Sequence, residues 1–308
     1  MHLLKKLIFA LPFLIVFTVL IFQISPLLAS YDFIFSFSLT TLTDLILISL
    51  LFFFSGFLFV LFATLASDWK IILPVGILAS AIPLVFAQSA LNLILAVIIF
   101  VSLLFTNLLL DNVLKSYLTF QAGALLGPKI RNLSTHLVLS FCLIYFFSLS
   151  KIIAQNGFQI PDSLIDTALK ITGSATPNIQ SEEMNLPQIP PEQLDLLKKN
   201  PDLLKQYGLD PKLLDTLTAP QKSTAAPANL TNELIKQTVK DQVQNFIKPY
   251  LNFIPAGLAI LLFFTFQAFI SIANLLISPL LWLIFLILEK TGFTKFTVEQ
   301  REVKKLVV

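Results

Sequence analysis

The residues of this chain with chemistry to offer are few and far apart. Histidine occurs twice, at His2 and His136, and cysteine once, at Cys142. A catalytic zinc needs three protein ligands, commonly with two histidines one helical turn apart, and neither histidine has such a companion. His136 stands near the start of an apolar run and reads as a satisfied interfacial histidine. Cys142 lies inside the same run. A single thiol excludes an intramolecular disulfide and a Cys-based zinc cluster, so its expected role is that of a small buried hydrophobe. A serine hydrolase would need a Gly-Ser-type elbow and a base, and a nucleotide-driven machine would need a Gly-rich phosphate loop. The sequence contains neither. No catalytic, cofactor-binding or metal-ligating residue is assigned, and the chain is not expected to be an enzyme.

The remaining chemistry is polar and embedded in apolar surroundings. Gln23, Gln88, Asn92, Asn107, Gln267 and Asn274 interrupt long apolar stretches, where an amide serves to hydrogen-bond a neighbouring helix or to end a span. The acids nearest to those stretches, Asp44, Asp68 and Asp111, fall at their boundaries. An ionisable residue at mid-bilayer would mark a proton or ion pathway. None is placed there, so transport through a carboxylate relay is disfavoured.

The elements that carry these residues are membrane helices. Residues 71–110 and 251–288 run 40 and 38 positions without one Asp, Glu, Lys or Arg. At ~1.5 Å rise per residue, such a stretch reaches ~60 Å, about twice the ~30 Å hydrocarbon core. Each is long enough for two passes, or for one pass and a segment held along the bilayer. Composition agrees: 56% of residues are hydrophobic, 13% are charged, and mean hydropathy is +0.83. A soluble domain carries about 25% charged residues. Thirty phenylalanines suit lipid-facing and helix-packing surfaces, and a net charge of +3 gives no support for nucleic-acid binding.

A first span covers residues 7–28 behind Lys5 and Lys6. Its length and the poor cleavage site at Pro26-Leu27-Leu28-Ala29-Ser30 favour a retained span over a cleaved signal. The second, 45–67, has Asp44 at its entrance and Trp69 as an interfacial anchor beyond its exit. Residues 71–110 read as a hairpin turning around Gln88–Asn92, with Gly76 and Ser80 as a small-residue face for a close neighbour. Residues 111–131, with Lys115, Lys129 and Arg131, read as a semi-polar interfacial connector ended by Gly127-Pro128. Gly123 and Gly127 match GxxxG but lie outside an apolar twenty-residue run, so a dimer face is not expected there. Residues 132–150 form the next span.

Residues 151–249 differ in character and hold most of the prolines and acids. A helix is expected over 161–173, then a linker over 174–190. Pro191, Pro201 and Pro211 are ten apart and open three similar leucine-bearing units, PEQLDLLKKN, PDLLKQYGLD and PKLLDTLTA. Their leucines exceed what a solvated linker needs, so residues 191–218 are expected to dock on a neighbouring helix or a protein partner. A second linker, APQKSTAAPA, precedes an amphipathic helix over 229–250 with Ile235, Val239, Val243, Phe246 and Ile247 on one stripe. Pro249 and Pro255 suggest a bend where the chain meets the bilayer.

The expectation is an all-α, polytopic integral membrane bundle of six or seven apolar helices with one inserted polar helical region. Its parts are a membrane region at 1–150, the insert at 151–249, a C-terminal membrane helix or hairpin at 250–289 and a basic tail at 290–308. Compact loops, the Lys- and Asn-containing polar region and the short charged tail resemble a bacterial inner-membrane protein, a likeness that carries no activity. Positive residues favour the cytoplasmic side. They place the N-terminus inside, residues 151–249 outside and the tail inside, which requires an even number of crossings. The length of 251–288 argues instead for two passes with a turn near 271–274. The expected role is that of a non-enzymatic scaffold or envelope-assembly protein, without cofactor, contacting lipid and a protein partner; a transporter or channel subunit is the alternative.

Overall fold

A computed structural model describes residues 6–35, 38–117, 119–158, 161, 165, 240 and 243–294. The chain divides into two compact units, Met1–Gly157 with Asn252–Val308, and Phe158–Leu251. The three proline-led units at 191–218, the two linkers, most of the helices expected over 161–173 and 229–250, and the tail beyond 294 lie outside the described residues.

The first unit is an all-α bundle. Its helices are α1 (Ala10–Ile24), continued by a 3-10 turn over Pro26–Ala29, α2 (Leu39–Ala66), α3 (Trp69–Phe86), α4 (Ala90–Ser116), α5 (Ala122–Asn156), α6 (Ile254–Ala273) and α7 (Ile277–Lys290). No strand occurs among the described residues. With α6 and α7 taken as one run, six helices are long and apolar enough to cross a membrane.

Short polar residues set where the helices begin. The Ser38 hydroxyl accepts from the Thr41 N–H, the Asp68 carboxylate from the Lys70 N–H and the Ser89 hydroxyl from the Asn92 N–H, each satisfying one orphan donor of a first turn. Ser67 ends α2 in the left-handed region at φ 51°, which lets the chain reverse within two residues into α3. The α3–α4 turn is held from inside. Asn92 Nδ2 donates to the carbonyls of Pro83 at 3.1 Å and Ala87 at 2.8 Å, so one amide ties both arms together.

Helices α2 and α5 form the centre. α2 packs on α1, α5 and α6, while α5 packs on α2, α4, α6 and α7; α3 lies on α4 and α1. Between apolar helices in lipid, hydrophobicity supplies no attraction, and close packing must do the work. Phe52 of α2, Phe141 of α5 and Phe266 of α6 form a ring triangle with centroids 5.6 to 6.0 Å apart. Phe13 of α1 meets Phe59 of α2 at 5.3 Å. All five are buried, whereas Leu11, Phe22, Phe264, Ile272 and Trp282 are exposed on the outside. In water such a surface would demand a partner; lipid supplies one.

Three local readings are corrected. Residues 111–131 are not a connector: α4 continues to Ser116, where an Asp111–Lys115 pair at 2.6 Å supports its last turn, and α5 already begins at Ala122. Gly127-Pro128 does not end a segment but sits inside α5. Gly123 and Gly127 face α7 instead: an added Cβ would lie 3.1 Å from Ser278 Oγ and 3.6 Å from Ile277 Cγ2 respectively. Gly76 has open space where a Cβ would stand, so the close approach expected at Gly76 and Ser80 does not occur there. It occurs at Gly56, against Ser134 and Ile130 of α5.

The C-terminal run does not reverse. Moving backwards along α5, Phe141 meets Phe266, Thr135 meets Gln267, Gly123 meets Ser278, and Phe120, just before the helix, meets Phe285. That order describes one antiparallel path through α6 and α7. The 3-10 turn at Asn274–Leu276 interrupts it without turning it. Pro279 explains the interruption, because it lacks the N–H that would bond the carbonyl of Leu275.

Within the second unit, Gln244 Nε2 donates to the carbonyl of Phe158 at 3.2 Å.

Candidate functional site

The residues singled out for possible chemistry are held in structural roles or stand alone. His136 is bonded through Nδ1 to the Asn132 carbonyl of its own helix, and its ring stacks edge-on against Phe105 of α4. Cys142 is buried as a free thiol in the α5 core. His2 lies outside the described residues. Among the described residues, no three of His, Cys, Asp and Glu lie close enough to hold a metal ion. Asp68 is a helix cap, Asp111 is paired with Lys115, and Asp44 is exposed, one turn inside α2 rather than at its entrance.

The six amides divide by environment. Asn92 spends both protons on the α3–α4 turn, and Gln88 is exposed beside it. Gln23 is half-buried near the end of α1. Gln267 Nε2 donates to Thr135 Oγ1 at 3.1 Å across the α5–α6 contact, while its Oε1 has no partner. Asn274 Oδ1, in the 3-10 turn, also lacks one. The hydroxyls of Ser55 and Ser134 are buried without partners near the tight α2–α5 crossing at Gly56. A buried polar atom without a partner costs about 1–3 kcal/mol in a dry interior, so these atoms are either strained or waiting for water or a ligand.

Only at Asn107 does such an atom coincide with open space. Asn107 is 3% exposed, and its Nδ2 has no partner within the protein. It forms part of the wall of a cleft of about 270 Å³ where the end of α2, the start of α3 and the end of α4 meet. Ala63, Ser67, Trp69, Ile72, Leu110, Asp111 and Lys115 complete much of that wall. Sequence spacing hinted at part of this, since Asn107, Asp111 and Lys115 recur every four residues on one helical face. The arrival of Trp69 and Ser67 from another hairpin was not legible.

Two larger clefts have different linings. One of about 480 Å³ lies between the start of α5 and α7, walled by Gln121, Gly123, Ser278, Trp282 and Glu289. The other, about 470 Å³, opens between residues 33–45 and α6 and is walled mainly by Leu39, Leu42, Leu45, Leu261 and Leu262. These clefts open at the ends of the helices. The middle of the bundle is filled by Phe17, Phe52, Phe59, Phe62, Phe141 and Phe266, each 2% exposed or less.

Comparison with protein-family models, with curated proteins and with solved structures finds no match to this chain.

Proposed function

We propose that this chain is a multi-pass membrane scaffold without catalytic activity, anchoring its 151–249 region at the outer face of a plasma membrane for a protein partner. The observation that carries the reading is the filled interior. A conduit needs a polar or wettable path between its two ends, and here the centre is a stack of phenylalanine rings with no intramembrane charge among the described residues.

Charge supports the orientation. Six alternating runs bring Lys6, Lys70, Lys115, Lys129, Arg131 and Lys290 to one end of the bundle. The opposite end carries Asp32, Asp44 and Lys151. Cations are retained on the cytoplasmic side, so the first end faces the cytoplasm and the chain leaves α5 for residues 151–249 on the other side. The leucines of the three proline-led units then supply the apolar contacts for a partner.

Photo-crosslinking from Leu203 and Leu213 in intact cells tests the role, with Ser181 as the linker control. A discrete adduct from the two leucines, absent at Ser181, is the expected result, together with proteoliposomes that stay tight to ions and small solutes. Solute flux that depends on this protein would instead establish the transporter alternative.

A further inference from the structure

We propose that the cleft at Asn107 binds the zwitterionic headgroup of a phospholipid bearing a primary amine, of the phosphatidylethanolamine kind. Three features on the same face carry the argument. Asn107 Nδ2 is a donor, almost wholly buried and unpartnered, at the inner end of the cleft. A buried donor that the protein leaves empty-handed asks for an acceptor from outside. One turn further out stands the Asp111 carboxylate, and one turn beyond it the Lys115 ammonium, paired with each other at 2.6 Å. A ligand with both an ammonium and a phosphate can meet this pair charge for charge, the ammonium on Asp111 and a phosphate oxygen on Lys115 and the Asn107 amide. A purely anionic headgroup would bring its charge against Asp111.

Position argues for a lipid as the source. The cleft lies at the charged ends of α2, α3 and α4, beside Trp69, whose indole suits the headgroup level. Ile72 and Leu110 supply the apolar part of the wall. A cleft of about 270 Å³ falls below the usual range for a drug-sized ligand and suits a small headgroup whose acyl chains remain in the bilayer.

The full chain, purified in detergent, is examined by native mass spectrometry and thermal unfolding with phosphatidylethanolamine, phosphatidylcholine and phosphatidylglycerol added separately. Phosphatidylethanolamine should be retained preferentially. Asp111→Asn and Lys115→Gln should each weaken its retention about tenfold, the loss expected for one charge-assisted hydrogen bond. Lys115 is a largely exposed side chain, so its substitution leaves folding intact even if Asn107→Leu impairs it. Equal retention of the three lipids, or variants that bind like the parent, would overturn the site. Stabilisation by free O-phosphoethanolamine as strong as by the lipid would overturn the lipid as source.

Discussion

Gly56 of α2 approaches Ser134 of α5 so closely that a Cβ on the glycine would stand 2.5 Å from the serine hydroxyl oxygen and 3.2 Å from its backbone nitrogen. The two central helices therefore touch backbone to backbone, at the level where the bundle is otherwise filled by aromatic rings. Small residues permit this approach, and the dispersion attraction that follows along both helices is what holds apolar helices together in lipid.

Gly56→Ala should accordingly destabilise the bundle by about 1–3 kcal/mol, the usual cost of forcing an added methyl into a tight contact. Ser134→Ala removes the nearest obstructing atom and an unpartnered hydroxyl, so it should be close to neutral by itself. The double variant should recover part of the loss, though the Ser134 nitrogen and the Ile130 carbonyl remain within 3.3 Å. Denaturant unfolding in mixed micelles, read as a double-mutant cycle, measures this; strictly additive effects would place the two helices further apart.

A disulfide can report the direction of the C-terminal run. The Cβ position of Gly123 lies 3.5 Å from Cβ of Ser278, within the span of a cystine. Gly123→Cys with Ser278→Cys, in a Cys142→Ala background, should crosslink readily under mild oxidation. Were the run to fold back near residue 272, Ser278 would sit beside Gln267 and Thr135, a dozen residues or ~18 Å along α5 from Gly123. A crosslink between positions 135 and 278 would be the contrary result.

Cys142 offers a reading of bundle integrity. It is 4% exposed in the α5 core, so a membrane-permeant maleimide should label it only when α5 separates from its neighbours. Labelling is expected to be negligible in mild detergent and to rise with the unfolding transition. Rapid modification of the native protein would mean that the core opens far below that transition. Cys142→Ala removes one buried sulfur and should cost about 1 kcal/mol.

Orientation is tested by cysteines outside the helices, again in the Cys142→Ala background. An impermeant reagent on intact cells should modify Ser181→Cys and spare Thr294→Cys, which reacts only after permeabilisation. Protection at 181 in well-expressed protein would invert the topology argued from the lysines.

Phosphatidylethanolamine should also protect the cleft in kinetic terms. A cysteine replacing Ser67, at its mouth, should react more slowly with a water-soluble maleimide when that lipid is present than with phosphatidylcholine alone. Identical rates would speak against occupancy of the cleft.

Sequence by itself determined that the chain is a helical membrane bundle, because charge-free runs of such length have no other stable use. It also located the α3–α4 turn, since Ser89 and Asn92 are a cap and a backbone donor wherever the chain must reverse. It did not determine which faces meet. A soluble helix marks its buried side with an apolar stripe, but a helix between lipid and protein is apolar all round, so lipid-facing Phe264 and core Phe266 look alike in one dimension. Tertiary packing alone chose Gly56 over Gly76 for the close approach, set Gly123 against Ser278, and extended α4 and α5 through residues whose charges suggested a loop. It also carried the C-terminal run past Asn274 without reversal, because α5 is long enough to offer one continuous partner where length and charge argued for different paths.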